Sequence, residues 1–206
     1  MGRIVKADLE ELAIAADTVG RGGVICYPTD TVYGLGCDPF NESAVKKAIA
    51  AKGKRTKAMP VLVSGITCAG RLVILSRAAK KLANVYWPGQ LTMVLPARDQ
   101  VPSVLAPQRT LGVRYPKHAI CQQLLRLCSG CLVGTSANLT GKPPATSVTE
   151  IVEQLSDRVD VILDGGRATM GVASTIVDLT RDRFRILREG PISYAEILRS
   201  LRERPR

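Results

Sequence analysis

A single histidine, His118, in 206 residues excludes multi-histidine metal centres, and any Ser-His-Asp triad would have to be built around it. Its setting, Tyr115-Pro116-Lys117-His118 ahead of an apolar-periodic run, predicts a helix start rather than a general base. No stretch fits G-x-x-x-x-G-K-[ST]. Gly34-Leu35-Gly36 is followed by Cys37-Asp38-Pro39, not by the rest of a dinucleotide-binding fingerprint. A nucleotide, if one binds, binds by another route. Aromatic residues are scarce at 4%, so the core must be built from Val, Leu, Ile and Ala. Apolar runs fall far short of the roughly 20 residues a membrane-spanning helix needs. Residues 1–8 lack the apolar stretch of a secretory signal, and a soluble, cytoplasmic protein is expected.

Cysteine is present but poorly arranged for chemistry. Cys128 and Cys131 form a lone C-x-x-C with no second pair at zinc-ribbon spacing. The pair follows the apolar-periodic segment 119–127, which places it at a helix C-terminus, where the dipole opposes a thiolate. Cys26, Cys37 and Cys68 lie among small or apolar residues and read as buried thiols.

What the chain has in excess is positive charge. Against 18 Asp and Glu stand 29 Lys and Arg, a net charge of +11, which favours anionic partners such as nucleotides or RNA without choosing among them. The basic end at 199–206 adds to the count without needing a partner. No repeat, low-complexity tract or long linker interrupts the sequence, so one domain spanning 1–206 is expected. Asp8-Leu9-Glu10-Glu11 reads as a capping-box start of a helix to about residue 19, with Leu9, Leu12, Ala13 and Ala16 on its apolar face. Further helices are predicted at 42–51, 77–85, 118–128, 148–155 and 194–201. Strands are predicted at 24–27, 60–63, 91–95, 111–114, 131–134, 159–163, 174–178 and 184–187. Helices interspersed with short β-branched runs indicate an α/β fold. Successive strands after residue 159 without an intervening helix indicate a twisted sheet of mixed parallel and antiparallel strands, covered by helices.

Polar segments interrupt this pattern at strand ends. Residues 28–36, PTDTVYGLG, offer two hydroxyls and a carboxylate to a polar substrate, while Gly34 and Gly36 allow close backbone approach. Residues 52–60, KGKRTKAMP, put four cations on one loop, suited to a triphosphate or simply to water. Residues 133–141, VGTSANLTG, open from a buried strand into hydroxyl and amide groups that suit phosphate or ribose but also form ordinary turns. Arg114 closes an apolar strand, and a buried arginine there must find an anion, which makes it a candidate carboxylate clamp. Ser174-Thr175 and Leu187-Arg188-Glu189-Gly190 complete the set.

In order along the chain, YPTDTVYGLG (27–36), the Lys/Arg loop with MPVLV (59–63), WPGQLTMVLP (87–96), GVRYP (112–116), TSAN (135–138), ILDGG (162–166), STIVDLT (174–180) and LREG (187–190) resemble the YrdC-like family, the threonylcarbamoyl-adenylate synthases. The resemblance covers about residues 9–198 and implies the YrdC-like, RibB-like α/β fold. It implies a nucleotidyltransferase that makes threonylcarbamoyl-adenylate and pyrophosphate from L-threonine, bicarbonate and ATP, with Mg²⁺ as the nucleotide's counter-ion and no organic cofactor. A partner complex would then transfer the threonylcarbamoyl group to a tRNA adenosine. Carried over by position, Thr31, Arg114 and Ser174 resemble the threonine-binding residues. Lys52, Thr110, Ser136, Asn138 and Arg188 resemble the ATP-binding set, and Lys52 with its neighbouring cations would serve the phosphates. The family's Lys-x-Arg loop reads Lys52-Gly53-Lys54-Arg55 here, so either Lys54 or Arg55 fills the arginine role, and the two are not equivalent at a forked phosphate contact. The short end after the last helix resembles the single-domain members. The rival expectation is a non-enzymatic RNA binder of the same fold, using its basic surface on phosphates.

Overall fold

A computed structural model describes residues 2–53, 58–168 and 172–203. The elements, in chain order, are β1 (Arg3–Lys6), α1 (Leu9–Gly20), β2 (Ile25–Tyr27), β3 (Gly34–Gly36), α2 (Glu42–Ala51), β4 (Val61–Val63), α3 (Ile66–Leu72), α4 (Arg77–Tyr86) and β5 (Leu91–Pro96). There follow β6 (Thr110–Arg114), α5 (Ala119–Leu127), β7 (Cys131–Val133), β8 (Thr135–Ser136), α6 (Val148–Leu155), β9 (Val161–Asp164), β10 (Thr175–Asp178), β11 (Arg185–Arg188) and α7 (Tyr194–Arg202). The strands divide into two mixed sheets rather than one. Five strands are ordered β1-β9-β2-β3-β8 and six are ordered β11-β10-β5-β6-β4-β7.

Helix starts follow their caps. Asp8, Asn41, Ser76, His118, Ser147 and Ser193 each accept from the backbone amide three residues on, satisfying one of the donors a helix leaves free. His118 does so through Nδ1, 3.3 Å from the Cys121 amide, and burial lowers its pKa against the opposing pull of Asp30. The expected helix start is there. In α1 the buried face is Leu12, Ala15 and Val19, while Leu9 is 71% exposed and Ala13 is also exposed. The reason is tertiary: α1 packs on α5 and the five-stranded sheet, in one core with Leu124, Leu125, Ile25 and Leu163. Each such fully buried aliphatic side chain contributes about 1.5–3 kcal/mol.

Residues 34–36 form a strand where the sequence suggested an open glycine loop. Gly34 is paired with Tyr27 across β2–β3. A Cβ on Gly34 would lie 2.9 Å from the Tyr27 ring, and one on Gly36 would lie 2.7 Å from it. The two glycines thus make room for a buried tyrosine, not for a ligand. Tyr27 in turn donates to the Val133 carbonyl oxygen at 2.8 Å, and the Val133 amide donates to Cys37 O at 2.9 Å. These bonds join the edge of the six-stranded sheet to the five-stranded one. The chain itself crosses between them at Gly134, from β7 directly into β8, where a Cβ would stand 2.4 Å from Leu62 Cγ.

The cysteines are free thiols. Burial pushes Cys37, Cys128 and Cys131 up to about 12, and Cys26 and Cys121 higher still. Cys128 is the C-cap of α5, the end of the helix that disfavours a thiolate. No helix among the described residues is long and apolar enough to cross a membrane.

Candidate active site

β5 and β6 have one face of Leu91, Met93, Leu95, Leu111 and Val113 sealed in the core. The alternate residues, Thr92 and Val94 on β5 and Thr110, Gly112 and Arg114 on β6, therefore turn to the other face. Register aligns the polar ones. Arg188 pairs with Ile176, Ile176 with Thr92, and Met93 with Val113, the residue before Arg114. Arg188, Thr92 and Arg114 thus fall in one row across four strands of the six-stranded sheet.

Arg114 is 6% exposed, and its guanidinium is held on three sides. Nε donates to Gly89 O at 2.9 Å, Nη2 to Asp30 Oδ1 at 2.5 Å, and Nη1 to Thr31 Oγ1 at 3.4 Å. Asp30 and Thr31 come from the loop between β2 and β3, so this contact bridges the two sheets. The Asp30 carboxylate, which the sequence offered to a substrate, is turned inward. Its second oxygen accepts from the Lys117 amide at 3.3 Å. Thr31 is 5% exposed and lies 3.1 Å, oxygen to oxygen, from the equally enclosed Thr29.

Ser174, just ahead of β10, is 3% exposed and shares a hydrogen bond with Thr92 at 2.8 Å. Arg188 donates to Ser174 O from Nε at 3.0 Å and from Nη2 at 2.8 Å, and from Nη2 to Ser174 Oγ at 3.1 Å. Partial removal from water lowers the Arg188 pKa, and the Arg114 charge lowers it further. The two guanidiniums thus lie near enough to feel each other's charge, and paired guanidiniums suit an anion. Thr31, Arg114, Ser174 and Arg188, named from sequence, converge.

A second group of the expected residues gathers at the end of the five-stranded sheet. Lys52, the C-cap of α2, is 4% exposed, and its ammonium donates to Ser136 O, to Asn138 O at 2.9 Å and to Asn138 Oδ1 at 3.4 Å. Ser136 Oγ donates to Asn138 Oδ1 at 2.5 Å, and Asn138 Nδ2 donates to Leu139 O and Lys142 O at 2.8 and 2.7 Å. In this arrangement Lys52 pins the 136–138 turn. Gly34, three residues after Thr31, pairs with Ser136, so β3 links this group to the Arg114 group. Thr110 stands apart at the opposite end of β6 from Arg114, about 13 Å away along a strand rising ~3.3 Å per residue. Lys54 and Arg55 lie outside the described residues.

Sequence reasoning passed over Thr92, Gly89 and Tyr33. Thr92 was legible as the only polar side chain in LTMVLP. Tyr33 Oη donates to Gly166 O at 2.6 Å and accepts from the Gly165 amide at 3.1 Å, which fixes the ILDGG turn, and nothing local signals that contact. Among the described residues no three of His, Cys, Asp and Glu converge as a metal cage would require.

The chain is 37% identical over 200 residues to the threonylcarbamoyl-AMP synthase of Pyrococcus abyssi, covering 94% of this chain and 58% of that protein. It is 36% identical over 193 residues to the threonylcarbamoyl-AMP synthase of Bacillus subtilis, covering 91% of this chain and 55% of that one. It therefore spans a little over half the length of these relatives. The crystal structure of P. abyssi Sua5 complexed with L-threonine superposes with a TM-score of 0.89 at 33% identity, over 97% of this chain and 60% of that one. The model of the Sua5/YciO/YrdC family, described as telomere recombination, matches residues 17–190, and the chain belongs to that family.

Proposed function

We propose that the protein is an L-threonylcarbamoyladenylate synthase, a nucleotidyltransferase converting L-threonine, bicarbonate and ATP into threonylcarbamoyl-AMP and pyrophosphate. The observation that carries the reading is the buried Arg114, flanked by Thr31 and in one row with Thr92 and Arg188, both of which hold Ser174. It gives an amino-acid carboxylate a charged, water-poor seat, and a relative of the same fold is known with L-threonine bound. An RNA binder has no use for such an enclosed arginine, because phosphate contacts are made at the surface.

The chemistry asks for placement more than for a nucleophile on the protein. The threonine amine captures bicarbonate carbon to give a carbamate with loss of water. A carbamate oxygen then attacks the α-phosphorus of ATP and pyrophosphate leaves. Arg114 and Ser174 would fix the amino acid, while Arg188 and the Lys52–Ser136–Asn138 turn would flank the nucleotide, with Lys54 or Arg55 on its phosphates. Holding two reactants in line supplies most of the acceleration such a step needs. Thr110 would serve a distal part of the nucleotide, as its distance from Arg114 suits an extended ligand. Mg²⁺ would arrive as the counter-ion of ATP, because magnesium keeps several waters and binds through phosphates. The product is a mixed anhydride that water destroys, which calls for a cytoplasmic partner complex to carry the threonylcarbamoyl group to tRNA.

The test is pyrophosphate release by the pure protein with L-threonine, bicarbonate, ATP and Mg²⁺. Release that depends on threonine supports the reading. No release, together with salt-sensitive RNA binding, overturns it in favour of the RNA binder. Arg114→Ala is expected to weaken threonine binding far more than ATP binding, and equal loss of both refutes its role as carboxylate clamp.

A further inference from the structure

The hydroxyls of the loop ahead of β3 carry a proton order that their partners reveal. Thr29 Oγ1 lies 2.6 Å from Val32 O, and a carbonyl oxygen only accepts, so the single hydroxyl proton of Thr29 is committed there. Thr29 Oγ1 also accepts from the Thr31 amide at 3.2 Å. The contact between the two hydroxyls, at 3.1 Å, must then use the proton of Thr31. Thr29 has one donated and two accepted bonds and is complete. Thr31 Oγ1 has given its proton away and faces a donor, Arg114 Nη1, at 3.4 Å. Toward a ligand it presents a lone pair and no proton.

We infer that Thr29 fixes Thr31 as an obligate hydrogen-bond acceptor, and that the group Thr31 accepts from is the α-amino N–H of the bound amino acid. The inference rests on the proposed synthase reading. Arg114 offers only donors, so the ligand's carboxylate goes there. The amino nitrogen is attached to the carbon beside that carboxylate, and it is the first donor within reach of an acceptor next to the guanidinium. A β-hydroxyl is one bond farther. An amine that donates an N–H to Thr31 keeps its nitrogen lone pair off that contact and free to attack carbon. Thr29 is thus a positioning residue. A Thr31 hydroxyl released from it could rotate to serve donors and acceptors alike, and the preference for an amine would weaken.

Calorimetric titration of the full chain with L-threonine, L-valine (no hydroxyl) and 3-hydroxybutyrate (no amine) tests this, on wild type, Thr29→Val and Thr29→Ser. Thr29→Val should weaken threonine and valine alike by about three- to tenfold, the worth of one hydrogen bond, while leaving 3-hydroxybutyrate unchanged. Thr29→Ser should restore the wild-type pattern. Equal weakening of all three ligands, weakening of threonine but not valine, or failure of serine to restore it would overturn the inference alone. Wild type that binds none of the three would overturn the synthase reading and the inference with it. Thermal unfolding checks each variant, and Thr29→Ala replaces Thr29→Val if that variant does not fold.

Discussion

Removing the Asp30 carboxylate should cost the protein far more than the loss of one surface ion pair. Asp30 Oδ1 and Arg114 Nη2 are 2.5 Å apart, and the two side chains are only 10% and 7% exposed. Asp30→Ala leaves a guanidinium without its counter-charge where little water can replace it, and breaking a buried pair in this way costs about 3–5 kcal/mol. The lower end, about 3 kcal/mol, applies here because Arg114 keeps its bonds to Gly89 and Thr31 and its small residual exposure admits some water. In a chain of this size each kcal/mol moves Tm by about 2–4 °C, so Asp30→Ala should melt about 6–12 °C below wild type. The double variant Asp30→Ala/Arg114→Met removes both charges and should recover most of that loss, since an apolar pair of similar volume replaces a buried ion pair at little cost. Acetate should raise the Tm of Asp30→Ala more than that of wild type, because in the variant it would be the only carboxylate on Arg114. Circular-dichroism melts at fixed pH and ionic strength measure all three. A Tm for Asp30→Ala within about 2 °C of wild type would refute the reasoning, as would a double variant less stable than the single one.

Two further outcomes follow from the fold. Gly134→Ala should lower Tm by several degrees, because its Cβ would meet Leu62 Cγ at 2.4 Å at the crossing between sheets, and overpacking of that kind costs about 1–3 kcal/mol; an unchanged melt would show that Leu62 yields freely. Native Cys37, Cys128 and Cys131, held near 12 by burial, should stay protonated and inert to an aromatic disulfide reagent at pH 8 and react on unfolding. A thiol whose folded pKa lies above its unfolded one stabilises the fold below about 9, and that contribution is lost as pH rises toward 12, so denaturant midpoints should decline over that window; midpoints flat to pH 11 would contradict it.

Local signals carried much of this structure. The helices at 42–51 and 148–155 match α2 and α6 because a capping Asn or Ser and an apolar period both mark them. β1 was missed because only Val5 of its four residues is buried and its partner, β9, lies at the far end of the chain. β3 was missed because the strand depends on the Tyr27 ring filling the space above Gly34 and Gly36, a fact about a partner rather than about the segment. The same limit applies to the site. Arg114, Thr31, Ser174 and Arg188 could be named one by one. That Asp30 would be the carboxylate on Arg114 could not, because 84 positions separate the two and the fold alone brings them together.

That pairing also explains how the Arg114 and Arg188 guanidiniums can lie near each other. Each raises the cost of the other: after desolvation, the Arg114 charge is what lowers the Arg188 pKa. Without a ligand, an arrangement built only to hold anions would push itself apart. Asp30 meets this by neutralising the more deeply buried guanidinium with a carboxylate anchored on the Lys117 amide, while Arg188 rests on the Ser174 carbonyl oxygen. Because Asp30 belongs to the loop ahead of β3 and Arg114 to β6, the same bond holds the two sheets together at the seam. A ligand carboxylate arriving there adds a second anion to Arg114 rather than a first. Its affinity should therefore depend on Arg188 and on the ligand's own ammonium to offset Asp30, which favours a zwitterion over a simple carboxylate.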